Sequence, residues 1–121
     1  MLDDLLMELD GIEDEAAELG YTVPYRKAIK AAEEIIEDCY EIYPAQYIIS
    51  PSPYGEVVID IDDKDSEWFF WITIDSAGFV KLDIGGYERE YIILEYDGHD
   101  KVGDLLKAYI EEINGNANRT D

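Results

Sequence analysis

Cysteine, histidine and basic residues are scarce in this chain, and each shortage narrows what the protein can do. The sequence has one cysteine and one histidine, and it has nine lysines and arginines against 30 aspartates and glutamates. The single cysteine, Cys39, excludes an internal disulfide and a cysteine-based metal cage. No apolar run approaches the roughly 20 residues of a membrane span, and the start Met1-Leu2-Asp3-Asp4 lacks the basic region of a secretory signal. We therefore expect a cytoplasmic protein that is stabilised by packing alone.

The acidic excess does not come from a disordered composition. The formal net charge is −21, yet 47% of the 121 residues are apolar and 12% are aromatic, enough to form a buried core. This length predicts one compact domain, which we place at residues 1–115, followed by a loose tail at 116–121. A field this negative disfavours direct binding to nucleic acid or to anionic membranes. The partner, if there is one, is expected to be a basic protein.

Two helices are predicted at the start of the chain. Apolar residues recur at steps of three and four from Leu2 to Leu19, with Gly20 as the stop and Gly11 as a possible break into two shorter helices. A second helix is expected to begin near Pro24 and to run to about Glu41. Its predicted core face consists of Tyr25, Ile29, Ala32, Ile36, Cys39 and Tyr43.

The period of the pattern changes from helical to alternating after Pro44. Five strands are predicted, at about 46–50, 56–62, 67–74, 79–84 and 87–96, and their short connections favour an antiparallel meander. A closing helix is expected at about 100–114. The fold class is therefore predicted as α+β, with two N-terminal helices, a five-stranded antiparallel meander and a C-terminal helix, the helices packing on one face of the sheet.

Residues that could perform chemistry are few. His99 lies in a turn, Asp97-Gly98-His99-Asp100, and is expected to be an ordinary loop residue before a helix cap. Cys39 falls on an apolar helix face, where it is expected to fill the core. The acidic segment from Asp60 to Glu67 suggests calcium, but Trp68 stands where the calcium loop requires glycine. We expect no metal, no cofactor and no catalytic site.

One stretch has a likeness to other sequences. Three pieces carry it: Val23-Pro24-Tyr25-Arg26-Lys27-Ala28-Ile29-Lys30-Ala31-Ala32, then Ser50-Pro51-Ser52-Pro53-Tyr54-Gly55-Glu56-Val57, and then Ile74-Asp75-Ser76-Ala77-Gly78-Phe79-Val80. They resemble a group of small uncharacterised prokaryotic proteins, in which a proline-initiated, alanine-rich helix is followed by a Pro-x-Pro-x-Gly turn and a β-meander. Because these motifs are structural turns, the resemblance implies a fold and no function.

The leading functional hypothesis starts from the size of the charge. A protein about 35 Å across would span about ten base pairs of duplex, which carry about twenty phosphates. The sequence therefore suggests an acidic inhibitor that mimics nucleic acid toward a basic effector, as an anti-CRISPR, anti-restriction, antitoxin or immunity protein does. The residues expected to bind the partner are Glu33, Glu34, Glu37, Asp38, Glu41, Asp60, Asp62, Asp63, Asp65, Phe69 and Trp71.

Two other interpretations remain open. The chain could be a non-catalytic interaction or structural domain, with Phe69 and Trp71 forming an exposed aromatic sheet face that makes a homodimer. The N-terminal helix could equally cover this face. The charge could also reflect adaptation to high salt.

Overall fold

The protein is an α+β structure in which helices precede an antiparallel sheet. The computed structural model describes residues 2–43, 45–62, 69–85, 89–93, 102–104 and 107–108. The elements in chain order are α1 (Leu2–Asp10), α2 (Ile12–Glu18), α3 (Arg26–Ile42), β1 (Gln46–Pro51), β2 (Val57–Asp62), β3 (Phe69–Ile74), β4 (Val80–Gly85) and β5 (Arg89–Ile93). Neighbouring strands in the sequence pair antiparallel. The predicted fold class and the antiparallel arrangement are confirmed.

The sheet follows the chain order from β1 to β5. Its core side chains are described on four strands, β1 to β4. The described part of the fifth, Arg89–Ile93, lies within the predicted segment at 87–96 and is placed by its backbone pairing with β4; the other residues of that segment fall outside the described residues. The sheet core described below is that of β1 to β4, and β5 extends the sheet at the β4 edge.

The first predicted helix is two helices. Gly11, with φ −90° and ψ 0°, separates α1 from α2, at the position where its low helix propensity suggested a break. The stop at Gly20 is also as predicted: φ is +75°, and the N–H groups of Gly20 and Tyr21 donate to the carbonyls of Ala17 and Ala16 at 3.1 and 2.9 Å. Two such bonds across a glycine in the left-handed region satisfy the last carbonyls of a helix.

The core face of α3 differs from the predicted one. The buried residues of this helix are Ala28, Ala31, Ala32, Ile35, Ile36 and Cys39. Tyr25 precedes the helix and is 64% exposed, and Ile29 and Tyr43 are only partly buried. The prediction favoured these larger side chains, whereas the helix uses a face rich in alanine, which lets its backbone approach the sheet closely. Ala32, Ile36 and Cys39 are buried as predicted. The core face as a whole is turned by about 50°, or half a residue, from the predicted one.

The helices pack against one face of the sheet through a single core. α2 contacts β1, α1 contacts β1 and α3, and α3 contacts β2 and β3. The sheet contributes rows of paired residues, such as Ile59 with Ile72 and Ile72 with Leu82, all of them fully buried. Because side chains alternate along a strand, the residues between these positions point to the opposite face.

A turn at residues 51–56 is attached to the segment that enters α3. Within it, the Ser52 hydroxyl donates to Oε1 of Glu56 at 2.9 Å and accepts the N–H groups of Tyr54 and Glu56 at 3.2 Å. The N–H of Thr22 donates to the Pro53 carbonyl at 3.2 Å, and Thr22 forms a parallel bridge with Tyr54. These contacts tie the α2–α3 connection to the end of β1.

The described parts of the predicted C-terminal helix, residues 102–104 and 107–108, are helical. Val102 is fully buried in the common core. A Cβ placed on Gly103 would lie 3.5 Å from Cδ1 of Ile42 and 3.6 Å from Cβ of Asp38, so this helix lies beside the end of α3. The rest of the predicted helix, and the predicted tail at 116–121, fall outside the described residues.

Candidate functional site

The acidic residues predicted on the second helix form one exposed face. We name Glu33, Glu34, Glu37, Asp38 and Glu41 the α3 acidic face. Four of them are exposed and Glu34 is partly buried. At 100° per residue they fall within an arc of about 140°, opposite to the buried face of the helix. The structure therefore brings these five predicted site residues together.

A groove adjoins the α3 acidic face where the start of α1 meets the end of α3. Its volume is about 690 Å³, and its lining includes Leu2, Asp3, Glu37, Tyr40 and Glu41. Leu2 and Tyr40 supply apolar surface, and three carboxylates stand around it. Such a groove has the chemistry to receive a long basic side chain, with its methylene stem on Leu2 and Tyr40 and its cationic head beside the carboxylates.

Tyr40, which lines this groove, contacts a second tyrosine, Tyr47, in the core. The rings of Tyr40 and Tyr47 lie 5.4 Å apart between centroids and are tilted by 60°. The Tyr47 hydroxyl donates to the Tyr43 carbonyl at 2.7 Å. Burial, followed by nearby Cys39, Tyr40 and Tyr43, raises the pKa of Tyr47 well above its ordinary value. The phenol therefore stays protonated and keeps this hydrogen bond throughout the physiological pH range.

Two other predicted site residues, Asp60 and Trp71, belong to the sheet. We name its solvent-facing side the outer sheet face, formed by Gln46, Ile48, Ser50, Val58, Asp60, Trp71, Thr73, Lys81 and Asp83. One row of paired residues runs across it, Ile48 to Asp60, Asp60 to Trp71 and Trp71 to Asp83. Ile48 and Trp71 are 48% and 47% exposed. On β4, Nζ of Lys81 lies 3.9 Å from Oδ1 of Asp83.

These two groups of predicted site residues lie on opposite sides of the molecule. The α3 acidic face points away from the sheet, because the buried face of α3 packs on β2 and β3. Asp60 and Trp71 point away from the helices, because their strand neighbours Ile59, Ile61, Phe70 and Ile72 are buried in the core and side chains alternate along a strand. A partner that contacts one group on a flat surface does not reach the other.

The remaining predicted site residues are only partly described. Asp62 and Phe69 are paired with each other at the ends of β2 and β3. Asp63 and Asp65 lie outside the described residues, as does His99. The question of whether helix α1 covers the aromatic position is answered for Trp71, which is exposed on the face opposite to the helices.

Cys39 has the environment of a core residue. Its side chain is fully buried on α3. Desolvation by burial, and then the negative charge of Asp38, raises the pKa of the thiol to about 12. Because only a thiolate is a good nucleophile or metal ligand, this cysteine is inert at neutral pH. Within the part of the chain that the structure describes, no three His, Cys, Asp or Glu side chains come together as metal ligands.

The sequence pattern missed the contribution of α1 to the candidate site. The sequence pattern places Leu2 on the apolar side of the first helix and Asp3 on its polar side, and Tyr40 falls outside the predicted core face of α3. Their meeting in one groove depends on how α1 crosses α3. No local signal in the sequence indicates this meeting, because it depends on two helices that are distant in the chain.

Comparison with protein-family models, with curated proteins and with solved structures finds no match for this chain. Among the described residues, no helix combines the length and the apolar character that crossing a membrane requires. The functional argument therefore depends on geometry and charge alone.

Proposed function

We propose that the protein is a non-enzymatic inhibitor that occupies the nucleic-acid-binding surface of a basic protein through its helices. The observation that carries this proposal is the concentration of charge on one layer. Residues 2–42 contain thirteen acids and three bases, and the α3 acidic face is exposed along the helix that lies over the middle of the sheet. The natural partners are restriction or CRISPR effectors and nuclease toxins.

The charge density of the α3 acidic face is close to that of a duplex. From residue 33 to residue 41 the helix rises about 12 Å, and five carboxylates lie along that length. Double-stranded DNA carries one charge per about 1.7 Å of axis, or about seven over the same distance. Asp3, beside Glu37 and Glu41 at the groove, adds a sixth carboxylate at this end.

The order of charges along α3 supports a role in binding. Arg26, Lys27 and Lys30 stand at the beginning of the helix, and the acids follow. This order opposes the helix dipole, which favours acids in the first turn and bases in the last. A basic partner would relieve the repulsion at the end of α3, and electrostatic attraction would accelerate its association.

The structure changes which of the predicted residues belong to this proposal. Asp60 is on the outer sheet face, away from the α3 acidic face, so we assign the mimicry to the α3 acidic face and the groove beside it, and not to the first hairpin. The groove lined by Leu2, Asp3, Glu37, Tyr40 and Glu41 is where we place an arginine or lysine of the partner.

The test compares two triple variants with the same net charge. One neutralises the α3 acidic face, Glu37→Gln with Asp38→Asn and Glu41→Gln, and the other neutralises α2, Asp14→Asn with Glu15→Gln and Glu18→Gln. Each is measured against a panel of basic nucleases by displacement of a fluorescent duplex. We expect the α3 variant to displace the duplex at least about tenfold less well than the unmodified protein, and the α2 variant within about threefold.

Two results would contradict the proposal. The first is that no nuclease of the panel binds even at low ionic strength. The second is that binding occurs without displacement of the duplex, since a mimic must compete with nucleic acid. Equal losses in both variants would show that the overall field, and not the α3 acidic face, holds the partner.

A further inference from the structure

The groove between α1 and α3 is lined by carboxylates from two different helices. Asp3 stands in the first turn of α1, and Glu37 and Glu41 stand one turn apart near the end of α3. All three residues are exposed, and among the described residues none of them forms an ion pair. A cation between them would replace the repulsion of Glu37 and Glu41 by attraction. The groove is therefore complementary to positive charge on both of its walls.

The end of α3 adds to the negative potential of the groove. The helix ends at Ile42 and has no base in its last turn, so no side chain of that turn offsets the negative end of the helix dipole. On the other wall, Asp3 offsets the positive end of the dipole of α1. A cation beside Glu41 is therefore attracted by the carboxylates and by the end of the helix together.

The apolar part of the groove includes a tyrosine whose position is fixed by packing. Tyr40 is partly buried against the core, and the centroid of its ring lies 5.4 Å from that of Tyr47. Tyr47 is held in turn by its hydrogen bond of 2.7 Å to the carbonyl of Tyr43. Because packing already restricts the Tyr40 ring, little side-chain entropy is lost when a ligand stacks on it.

We propose that the groove selects an arginine of the basic partner over a lysine, and that Tyr40 determines this selectivity. The guanidinium stacks on the ring of Tyr40 and donates its N–H groups to the carboxylates of Glu37 and Glu41. It is planar and weakly hydrated, whereas an ammonium is compact and strongly hydrated and loses more when it enters a partly apolar groove. This inference rests on the proposed function for the protein that supplies the arginine, but the selectivity belongs to the groove itself.

Short peptides test the groove without a nuclease. Its volume of about 690 Å³ lies within the range of small-ligand sites, so the probes are two capped tripeptides of equal charge, N-acetyl-Gly-Arg-Gly-amide and N-acetyl-Gly-Lys-Gly-amide. Each is titrated into isotope-labelled protein at about 20 mM salt, and the amide chemical shifts give the dissociation constant and the location. We expect a constant on the order of 1–10 mM for the arginine peptide, at least about fivefold below that for the lysine peptide. The largest shifts should occur at residues 2–3 and 37–41.

Two variants of Tyr40 test the role of the ring. Tyr40→Leu keeps an apolar side chain but removes the aromatic face, so the two peptides should bind within about twofold of each other. Tyr40→Phe keeps the aromatic face and should preserve the preference for arginine. The amide spectrum shows whether each variant is folded.

A matched pair of charge variants tests the carboxylates. Glu37→Gln should weaken the binding of both peptides by at least about threefold. Glu33→Gln is the control, because Glu33 is exposed on the same helix but lies outside the described lining of the groove. It should leave both dissociation constants within about 1.5-fold.

The inference is overturned if neither peptide shifts the amides of the groove, if the lysine peptide binds as tightly as the arginine peptide, or if Tyr40→Leu keeps the preference. Equal weakening by Glu37→Gln and Glu33→Gln also overturns it, since the overall field would then hold the cation. These outcomes differ from a failure of the proposed function, which is decided by displacement of the duplex from nucleases. The groove can distinguish the two peptides even if no nuclease of the panel binds.

Discussion

Burial alone decides the chemistry of Cys39. The residue lies on the core face of α3 with no exposed surface, and the pKa of its thiol is raised from 9.0 to about 12. In the unfolded chain the thiol loses its proton near pH 9, whereas in the folded protein it keeps the proton up to about pH 12. The folded state therefore binds more protons in this window, and the contribution to the free energy of unfolding falls as the pH rises through it.

We expect Cys39→Ala to reduce this loss of stability at high pH. In the unmodified protein the thiol lowers the free energy of unfolding by at most about 1.4 kcal/mol per pH unit. Between pH 9 and pH 10 this contribution should be absent from the Cys39→Ala variant. Urea unfolding of the variant and the unmodified protein at several pH values measures it. Tyr47→Phe is the control, since burial raises the pKa of Tyr47 from a higher ordinary value of 10.0; its effect should begin only above pH 10. Equal slopes in Cys39→Ala and the unmodified protein would contradict the assignment.

Gly55 is required for two separate reasons. Its φ is +80°, and a Cβ at this position would lie 3.1 Å from Cγ2 of Thr22. We expect Gly55→Ala to lower the free energy of unfolding by about 1–3 kcal/mol, because the left-handed backbone is strained with a side chain and the bridge between Thr22 and Tyr54 must shift. Denaturant unfolding measures the loss.

Gly20→Ala separates the two causes. Gly20 has a similar φ of +75°, but a Cβ there meets nothing within 4 Å. We expect a loss of only about 1 kcal/mol, from the backbone alone. If Gly20→Ala costs as much as Gly55→Ala, the contact with Thr22 is not important for the turn.

At the scale of the element, α3 is a helix whose charges oppose its own stability. It has no acid in its first turn and no base in its last, and Glu37 and Glu41 are separated by one turn, where like charges repel. The helix is held in place by its alanine-rich core face, which is fully buried. Because packing stabilises the helix, its exposed residues can be suited to binding rather than to helix stability.

We expect Glu41→Gln to stabilise the protein and to weaken binding to a basic partner. The gain in the free energy of unfolding is about 0.3–1 kcal/mol, from the dipole and from the removed repulsion with Glu37. Glu15→Gln is the matched control: it removes the same charge from the first turn of α2, where the dipole favours an acid, so it should be neutral or slightly destabilising. Thermal unfolding at low salt compares them. If both changes stabilise equally, net charge alone is responsible.

The positions of the helices and strands could be predicted from the sequence more accurately than the faces that they bury. Alternation and the glycine turns locate β1 to β4 to within a residue or two, because period and turn chemistry are local properties. The core face of α3 was misjudged at Tyr25 and Ile29, since apolar residues line more than half of the helix there. Which part of an apolar surface becomes buried depends on the partner element, which the local pattern does not contain.

At the scale of the whole molecule, the net charge of −21 acts against the compact state. Self-repulsion is greatest among the helices, where α1, α2 and α3 are packed side by side on the sheet. Screening at about 1 M salt shortens the Debye length to about 3 Å and removes most of this repulsion. The charge is therefore a cost to stability, and binding to a basic partner, as proposed above, would account for it.

We expect the free energy of unfolding to rise from about 0.05 M to about 1 M salt, with most of the gain below about 0.3 M. Sodium chloride and potassium chloride should act equally, since screening depends on ionic strength and not on the identity of the cation. Urea unfolding in the two salts measures the effect. A continued linear gain up to molar salt would instead favour the adaptation of this protein to a saline environment.

The sequence by itself determined the charge, the order of helices and strands, the antiparallel connections and the turn glycines, because each is set by composition or by neighbouring residues. It also assigned Glu33, Glu37 and Glu41 to one side of a helix and Asp60 to one side of a strand. Only the tertiary structure decided that these sides face in opposite directions, since periodicity defines a face for each element and packing alone decides which faces meet. It thereby divided one predicted acidic surface into an acidic helical side and a mixed, partly apolar sheet side.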